Sequence, residues 1–443
     1  MRYFLSYRLY MKKIFLLLIS FALSANIFAA DLEFAGLTRN AISVVPEAST
    51  GLEKIYVINE LSGVEASYRG NSDSSVEWFR FRQSGGGFAD PVESKIENGV
   101  STLAKLEGNC GYIVKDGNRQ IAFWVVDYST YYFDIKSIAF DANQDCGMAN
   151  LNLVAECKPI QYYTINGVPK QLDRKIKVSY DTQEWNQDLL AFESKTVVKE
   201  LENIGSTLAI QAPLSNTIIT ISGDRFLSEW GLKDSFSSDT YQTKSIEVHS
   251  FAEQSERDNP NEIKPEGETL GGSAPAEITF TAYCSDAVEF KEWQFSKTAD
   301  FSDIIFKVNT DEIVYTFDEE GSTFVKFVCD NADGTCLTEG DVYNVNIGES
   351  MLDCPNAFSP NATEGINDEW KVSYKSIVSF RCWIFDRYGN EITHFEDPAI
   401  GWDGKYKGKF VNPGVYFYVI EALGADGKEY KMKGDINILK SNK

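Results

Sequence analysis

Few groups in this chain could carry catalysis. It holds two histidines, His249 and His394, so a Ser-His-Asp or Cys-His nucleophile has few ways to assemble. His394 sits in Ile392-Thr-His-Phe395, where a surface strand position is expected, and His249 follows the strand-like run Ser245 to Val248 with no role assigned. The patterns G-x-S-x-G, P-loop and H-E-x-x-H are absent. Carboxylates are plentiful, so a glycosidase-like pair within residues 31–250 stands as the alternative to a non-catalytic reading. Their spread through every turn favours a solvated acidic surface. Asp141-Ala-Asn-Gln-Asp145 spaces oxygen ligands like the start of a calcium loop, but Gly147 falls one place late and Asn152 stands where a bidentate Glu belongs. An ordinary turn is expected there. Ser84-Gly-Gly-Gly87 could cradle phosphate only ahead of a helix, and no helix start follows. The set Tyr128, Tyr131, Tyr132 and Phe133 could stack a sugar, although packed core or an interdomain contact is the commoner fate of such a cluster. No catalytic, cofactor-binding or metal-binding residue is assigned.

Eight cysteines suit an oxidising compartment. Cys354 and Cys382 are the only two in the last 90 residues, and their pairing is the first expectation. Cys329 with Cys336, or Cys284 with Cys329, would each leave a third cysteine over, and Cys110, Cys146 and Cys157 are also odd in number. Either buried thiols remain or a link spans domains. Zinc would need paired C-x-x-C spacing, which is missing.

The elements that must position these groups read as strands. Val76-Glu-Trp-Phe-Arg-Phe81, Cys110-Gly-Tyr-Ile-Val114 and Ile121-Ala-Phe-Trp-Val-Val126 predict a first β-sandwich over 31–128 with Trp78 central. A second sandwich over 129–251 would use Asn150 to Val154, Ile160 to Ile165, Lys175 to Tyr180, Ser206 to Ile210 and Thr217 to Ile221, with Asn166-Gly167 as its clearest turn. Leu189 to Ile204 fits either a short helix or a strand. Residues 252–276 are polar and punctuated by Pro and Gly, as a linker is. Residues 277–349 return to strand patterning, with Trp293 and Phe295 on one face and Asn331-Ala-Asp-Gly334 closing a hairpin. That stretch resembles a PKD-like immunoglobulin-type domain, usually a spacer or interaction module. The fold class expected is all-β: tandem immunoglobulin-like sandwiches with a small C-terminal antiparallel sandwich.

The two ends carry the address. Lys12-Lys13, the apolar run from Ile14, and the small-residue exit Ala29-Ala30 form a signal peptide over 1–30, with Met11 as the expected start. Its apolar part is too short and too interrupted for the roughly 20 residues of a membrane span. Formal charge is −23, and removing a segment that holds Arg2, Arg8, Lys12 and Lys13 leaves −27. Nucleic acid is an unsuitable partner for such a chain. From Cys354 to Lys443, however, 12 Lys or Arg balance 12 Asp or Glu, so the excess lies upstream. That neutral stretch contains Cys354-Pro-Asn-Ala-Phe-Ser-Pro-Asn361, Gly365-Ile-Asn-Asp368-Glu-Trp370, Phe385-Asp-Arg-Tyr-Gly-Asn390, Gly401-Trp-Asp-Gly404 and Pro413-Gly-Val-Tyr-Phe-Tyr418. In that order they resemble the gliding-motility-associated C-terminal domain, the type B sorting domain of the type IX secretion system. The resemblance implies residues 354–443 as a module that takes periplasmic cargo through the outer-membrane secretion machinery to the cell surface or beyond. Family members commonly read Pro-Asn-Gly-Asp-Gly where this chain has Pro360-Asn-Ala-Thr-Glu-Gly365, which puts cation binding in that loop in question. The upstream domains are then expected to be adhesive or to bind a surface protein or glycan.

Overall fold

The computed structural model describes residues 32–70, 75–142, 144–232, 234–264, 270–360, 362 and 365–439. The predicted signal peptide, residues 1–30, lies outside them. Paired β-strands build the molecule throughout, and among the described residues no helix is long and apolar enough to cross a membrane.

In the first unit, a four-stranded sheet ordered Leu32–Ala35, Glu65–Arg69, Val100–Leu103, Lys95–Glu97 covers a six-stranded one. The larger sheet runs Ile42–Val44, Lys54–Ile58, Arg119–Asp127, Cys110–Asp116, Val76–Phe81, Asp90–Val92. Trp78, Tyr112 and Phe123 fill the space between the sheets, and the Trp78 indole donates to Ser101 Oγ at 3.0 Å. Because strand side chains alternate, Phe81, Trp124 and Val126 must leave by the opposite face. That face is buried too: the hairpin Ile160–Tyr163/Pro169–Leu172 and the short helix Arg225–Glu229 lay Ile160, Tyr162, Leu172, Phe226 and Trp230 on it. An unbroken apolar run such as Ile121–Val126 is the mark of a strand covered on both sides.

The second unit packs a three-stranded sheet, ordered Phe133–Phe140, Met148–Cys157, Thr207–Gln211, on a four-stranded one. The four-stranded order is Ala191–Leu201, Ile176–Asn186, Thr217–Ser222, Ser235–Tyr241. The stretch that fitted helix or strand is thus a strand, held in eleven register pairs with Ile176–Asn186. Its β-branched run Thr196-Val-Val198 favours that state.

The glycine cluster at 84–87 has a steric purpose. Gly86 N–H donates to Ile165 O at 2.6 Å, and a Cβ on Gly85 would stand 2.7 Å from both Gly167 N and Ile165 O. Gly85 also has φ +78°, a conformation open chiefly to glycine. The Asn166-Gly167 turn of the second unit therefore rests on the backbone of the first. Gly85→Ala should cost about 1–3 kcal/mol, read as a lowered denaturant midpoint; an unchanged midpoint would refute the close-approach argument.

The third unit pairs a sheet of Val248–Gln254, Ala276–Cys284 and Glu312–Phe317 with a five-stranded sheet. The latter runs Gly271–Gly272, Thr338–Ile347, Gly321–Asn331, Val288–Ser296, Ile304–Val308 around Phe280, Trp293, Phe295 and Phe327. Residues 248–251, expected in the second sandwich, and 252–254, expected in the linker, form one strand that pairs with Ala276–Cys284. Described residues further along that polar segment are paired as well. Ile263 N–H donates to Tyr374 O at 2.8 Å, and the Asn261 amide donates to Val372 O and Pro398 O, each at 2.8 Å. Low apolar content identified a segment without a core of its own, but backbone pairing needs none.

In the last unit, Ala357–Phe358 pairs parallel to Glu429–Ile438, followed across the sheet by Gly414–Gly424, Ile377–Phe385 and Glu391–Phe395. Trp370, Trp402, Phe358 and Tyr418 pack beneath one face.

Candidate functional site

The groups singled out by type and spacing are distributed mainly to the junctions between units. Tyr128 and Phe133 are both buried, but in different cores, while Tyr132 is 63% exposed. They do not share a platform. Tyr128 instead joins a buried ion pair that sequence inspection did not single out. Arg174 Nε donates to Asp224 Oδ2 at 2.6 Å, with both side chains fully buried. Arg174 Nη1 donates to Lys158 O at 2.7 Å, and Nη2 to Tyr128 OH at 3.2 Å and Tyr131 O at 3.0 Å. Tyr128 OH donates to the same Asp224 oxygen at 3.0 Å, and Asp224 Oδ1 accepts Leu227 N–H as the N-cap of the short helix. Burial first, then the Asp224 charge, pushes the Tyr128 phenol well up. The network joins the first unit to the second.

His249 lies at the next junction. Its ring stacks on Trp185 at 4.3 Å and 11°, and Nε2 is 2.7 Å from Glu247 Oε1. Phe192, Phe251 and Tyr283 complete this cluster, so the far end of the Ile176–Asn186/Ala191–Leu201 hairpin is packed on the third unit. Gln183 and Asp286 exchange side-chain and backbone hydrogen bonds at 3.0 and 3.1 Å. His394 is exposed beside Glu391, at 2.8 Å.

A disulfide joins Cys146 of the second unit to Cys336 of the third, 190 residues apart. Cys336, considered above for a hairpin link with Cys329, is therefore committed elsewhere. The other six cysteines are thiols in this structure. Cys284 and Cys329 face each other through a hydrogen bond, which lowers the Cys284 thiol and raises its partner. Burial pushes Cys382 up to about 12, with Cys354 adding to the shift. The Asp141–Asp145 segment behaves as a turn: Asp145 Oδ1 accepts Gly147 N–H at 2.8 Å and Met148 N–H at 2.5 Å, which presents Cys146 to its partner. Among the described residues no cluster of three or more His, Cys, Asp or Glu is placed to hold a metal.

The same junction contains a cleft of about 470 Å³ lined by Asn216, Thr243, Lys244, Asp286, Glu289 and Asp333. Its carboxylates are partly engaged, since Asp333 pairs with Lys244 at 2.7 Å and Asp286 with Gln183.

These features describe β-sandwich units joined by buried contacts and one disulfide. Comparison with known families places two of the units. Residues 138–238 match the fibronectin type III domain, and residues 352–438 match the type IX secretion signal domain. The last unit is thus a type IX secretion signal domain, preceded by fibronectin- or immunoglobulin-like sandwiches. No curated protein matches the chain. Among solved structures it is similar to a tetra-tandem repeat from the extending region of a large adhesion protein, at 10% identity and TM-score 0.22, over 86% of this chain and 97% of that one. It is also similar to three N-terminal domains of the bacteriophage RB49 outer capsid protein Hoc, at 11% identity, TM-score 0.23 and coverage of 70% and 100%. A third is the eight N-terminal Ig domains of Down Syndrome Cell Adhesion Molecule, at 11%, TM-score 0.26 and coverage of 90% and 55%. At such TM-scores these likenesses carry no inference about activity or partners.

Proposed function

We propose that the protein is type IX cargo delivered to the cell surface or the exterior, where its upstream sandwiches act as a stiff, non-catalytic arm for adhesion or ligand binding. The type IX secretion signal domain at 352–438 carries the delivery. Junction chemistry supports the arm: the buried Arg174–Asp224 pair, the aromatic cluster at Trp185 and the Cys146–Cys336 bond each fix one unit to the next. Deleting residues 354–443 should leave the protein in the periplasm, measured by cell fractionation and protease shaving. Surface accumulation of that truncation would refute the assignment. A glycan array and a pull-down with residues 31–250 test the binding role, for which a surface protein or glycan is the expected ligand.

Passage through an oxidising compartment also has a covalent signature. Cys284 with Cys329, and Cys354 with Cys382, are proposed to become disulfides, each pair giving two electrons and two protons to a disulfide donor of the periplasm. A non-reducing peptide map of the exported protein should show three links including Cys146–Cys336, with the buried Cys110 alkylated only after unfolding. Six alkylatable thiols in the denatured, unreduced protein would remove both added links.

A further inference from the structure

The signal domain has a docked end and a free end. At the docked end, Ser376 N–H donates to Ser273 Oγ at 2.8 Å, Ser376 Oγ accepts Ala274 N–H at 3.3 Å, and Ala425 O accepts Glu320 N–H at 3.1 Å. Val378 and Ala425 pack against the core of the third unit. Strand Ile377–Phe385 then runs away from this contact for nine residues, roughly 30 Å at a strand's rise. Two loops and Pro360 meet at its far end. The 386–390 turn joins Ile377–Phe385 to Glu391–Phe395. The 403–412 hairpin approaches Pro360, to which a Cβ on Gly404 would come within 2.8 Å. Pro360 follows the short strand Ala357–Phe358, whose partner Ile438 pairs with Gly414 at this same end.

The carboxylates of the 386–390 turn and the 403–412 hairpin have internal partners: Asp386 accepts from Tyr388 N, Asn390 N and the Asn390 amide, and Asp403 pairs with Lys405 at 2.7 Å. Among the described residues Arg387, Lys407 and Lys409 have no carboxylate partner. Arg387 instead lies 5.0 Å over the ring of Tyr388, which is 76% exposed, and Lys407 lies 5.0 Å over Tyr406. Phe410 is exposed beside them. Unpaired cations interleaved with exposed rings form a surface that an anionic, partly apolar partner would complement. The rest of the mature chain is strongly acidic and would repel such a partner, which leaves this end to meet it.

We propose that this loop-bearing end, through Arg387, Tyr388, Tyr406, Lys407, Lys409 and Phe410, docks the signal domain onto an acidic protein surface of the secretion machinery. The proposal rests on the delivery reading above and assigns the face and partner chemistry. Full-length protein carrying R387E, K407E and K409E together, expressed in a host with type IX secretion, should lose at least tenfold in protease-accessible surface fraction and accumulate in the periplasm. The charge-preserving set R387K, K407R and K409R should be exported normally. Thermal melts of both purified chains verify folding; if the triple reversal fails to fold, K407E and K409E alone, in the exposed hairpin, should each still lower export severalfold. Wild-type export by a folded reversal variant overturns the proposal. Vesicles of phosphatidylglycerol provide a second readout: wild-type protein should not bind them. Vesicle binding that the reversal variant loses would assign the surface to lipid and overturn the protein partner. The 354–443 truncation in the same assay separates the two readings. If it is retained while the reversal variant is exported, only the docking face is wrong; if it too reaches the surface, the delivery reading fails with it.

Discussion

Replacing Arg174 with Ala is expected to destabilise the first two units by about 3–5 kcal/mol, because one half of a fully buried ion pair is removed and the other half stays behind. Asp224 would be left buried without its cation, with only Tyr128 OH and Leu227 N–H as donors from the present network. Lys158 O and Tyr131 O would also lose the donors they now have from Arg174. Arg174→Lys should recover little, since an ammonium cannot reproduce the planar fork that reaches four acceptors in different directions. The double change R174M/D224L should cost less than R174A alone. It leaves no unpaired charge, although Tyr128 OH loses both partners. Guanidinium chloride unfolding of residues 32–244, followed by tryptophan fluorescence, measures each difference. A cost below about 1 kcal/mol for Arg174→Ala would mean that water reaches the pair and that the junction is not dry.

Residues 31–128 expressed alone should not form a stable monomer, whereas residues 31–244 carrying Cys146→Ser should. The six-stranded sheet of the first unit is apolar on its second face as well as its first, and that second face is covered mainly by residues 160–172 and 226–232. Excision would expose Ile55, Val57, Phe81, Ile113, Trp124 and Val126. At about 1.5–3 kcal/mol for each large apolar side chain returned to water, the loss is on the order of 10 kcal/mol, comparable with the whole stability of a small domain. Aggregation or a dimer formed through that face is the expected behaviour, measured by size-exclusion chromatography with light scattering. A monomeric, cooperatively melting 31–128 fragment would show that the shared core contributes far less than its burial implies.

Strand patterning was legible in the sequence because the alternation of side chains across a sheet is local. It marked Val76–Phe81 and Ile121–Val126, and it marked Asn166-Gly167 as a turn. The C-terminal module was legible for a different reason. Its Pro, Gly, Asp and Trp positions are set by tight turns and by the Trp370–Trp402 bridge, so they leave an ordered trace along the chain. The 189–204 stretch was ambiguous because long polar side chains and β-branched ones alternate there without a clear apolar face. Only pairing with Ile176–Asn186 resolved it.

What the sequence by itself determined is therefore the C-terminal secretion signal domain, the all-β class and the scarcity of histidine, since each depends on residue type and short-range order. Tertiary structure alone decided how the units are joined. Cys146 and Cys336 stand 190 residues apart, and no spacing rule links them. Arg174 finds Asp224 and Tyr128 from three separate elements, and neither Arg174 nor Asp224 stands out when read in its own segment. The second apolar face of Arg119–Asp127 was visible as an unbroken run, but a run cannot state what will cover it. Long-range contacts are chosen by complementarity between surfaces that exist only after their local elements have formed, and for that reason the joints of this protein belong to the fold.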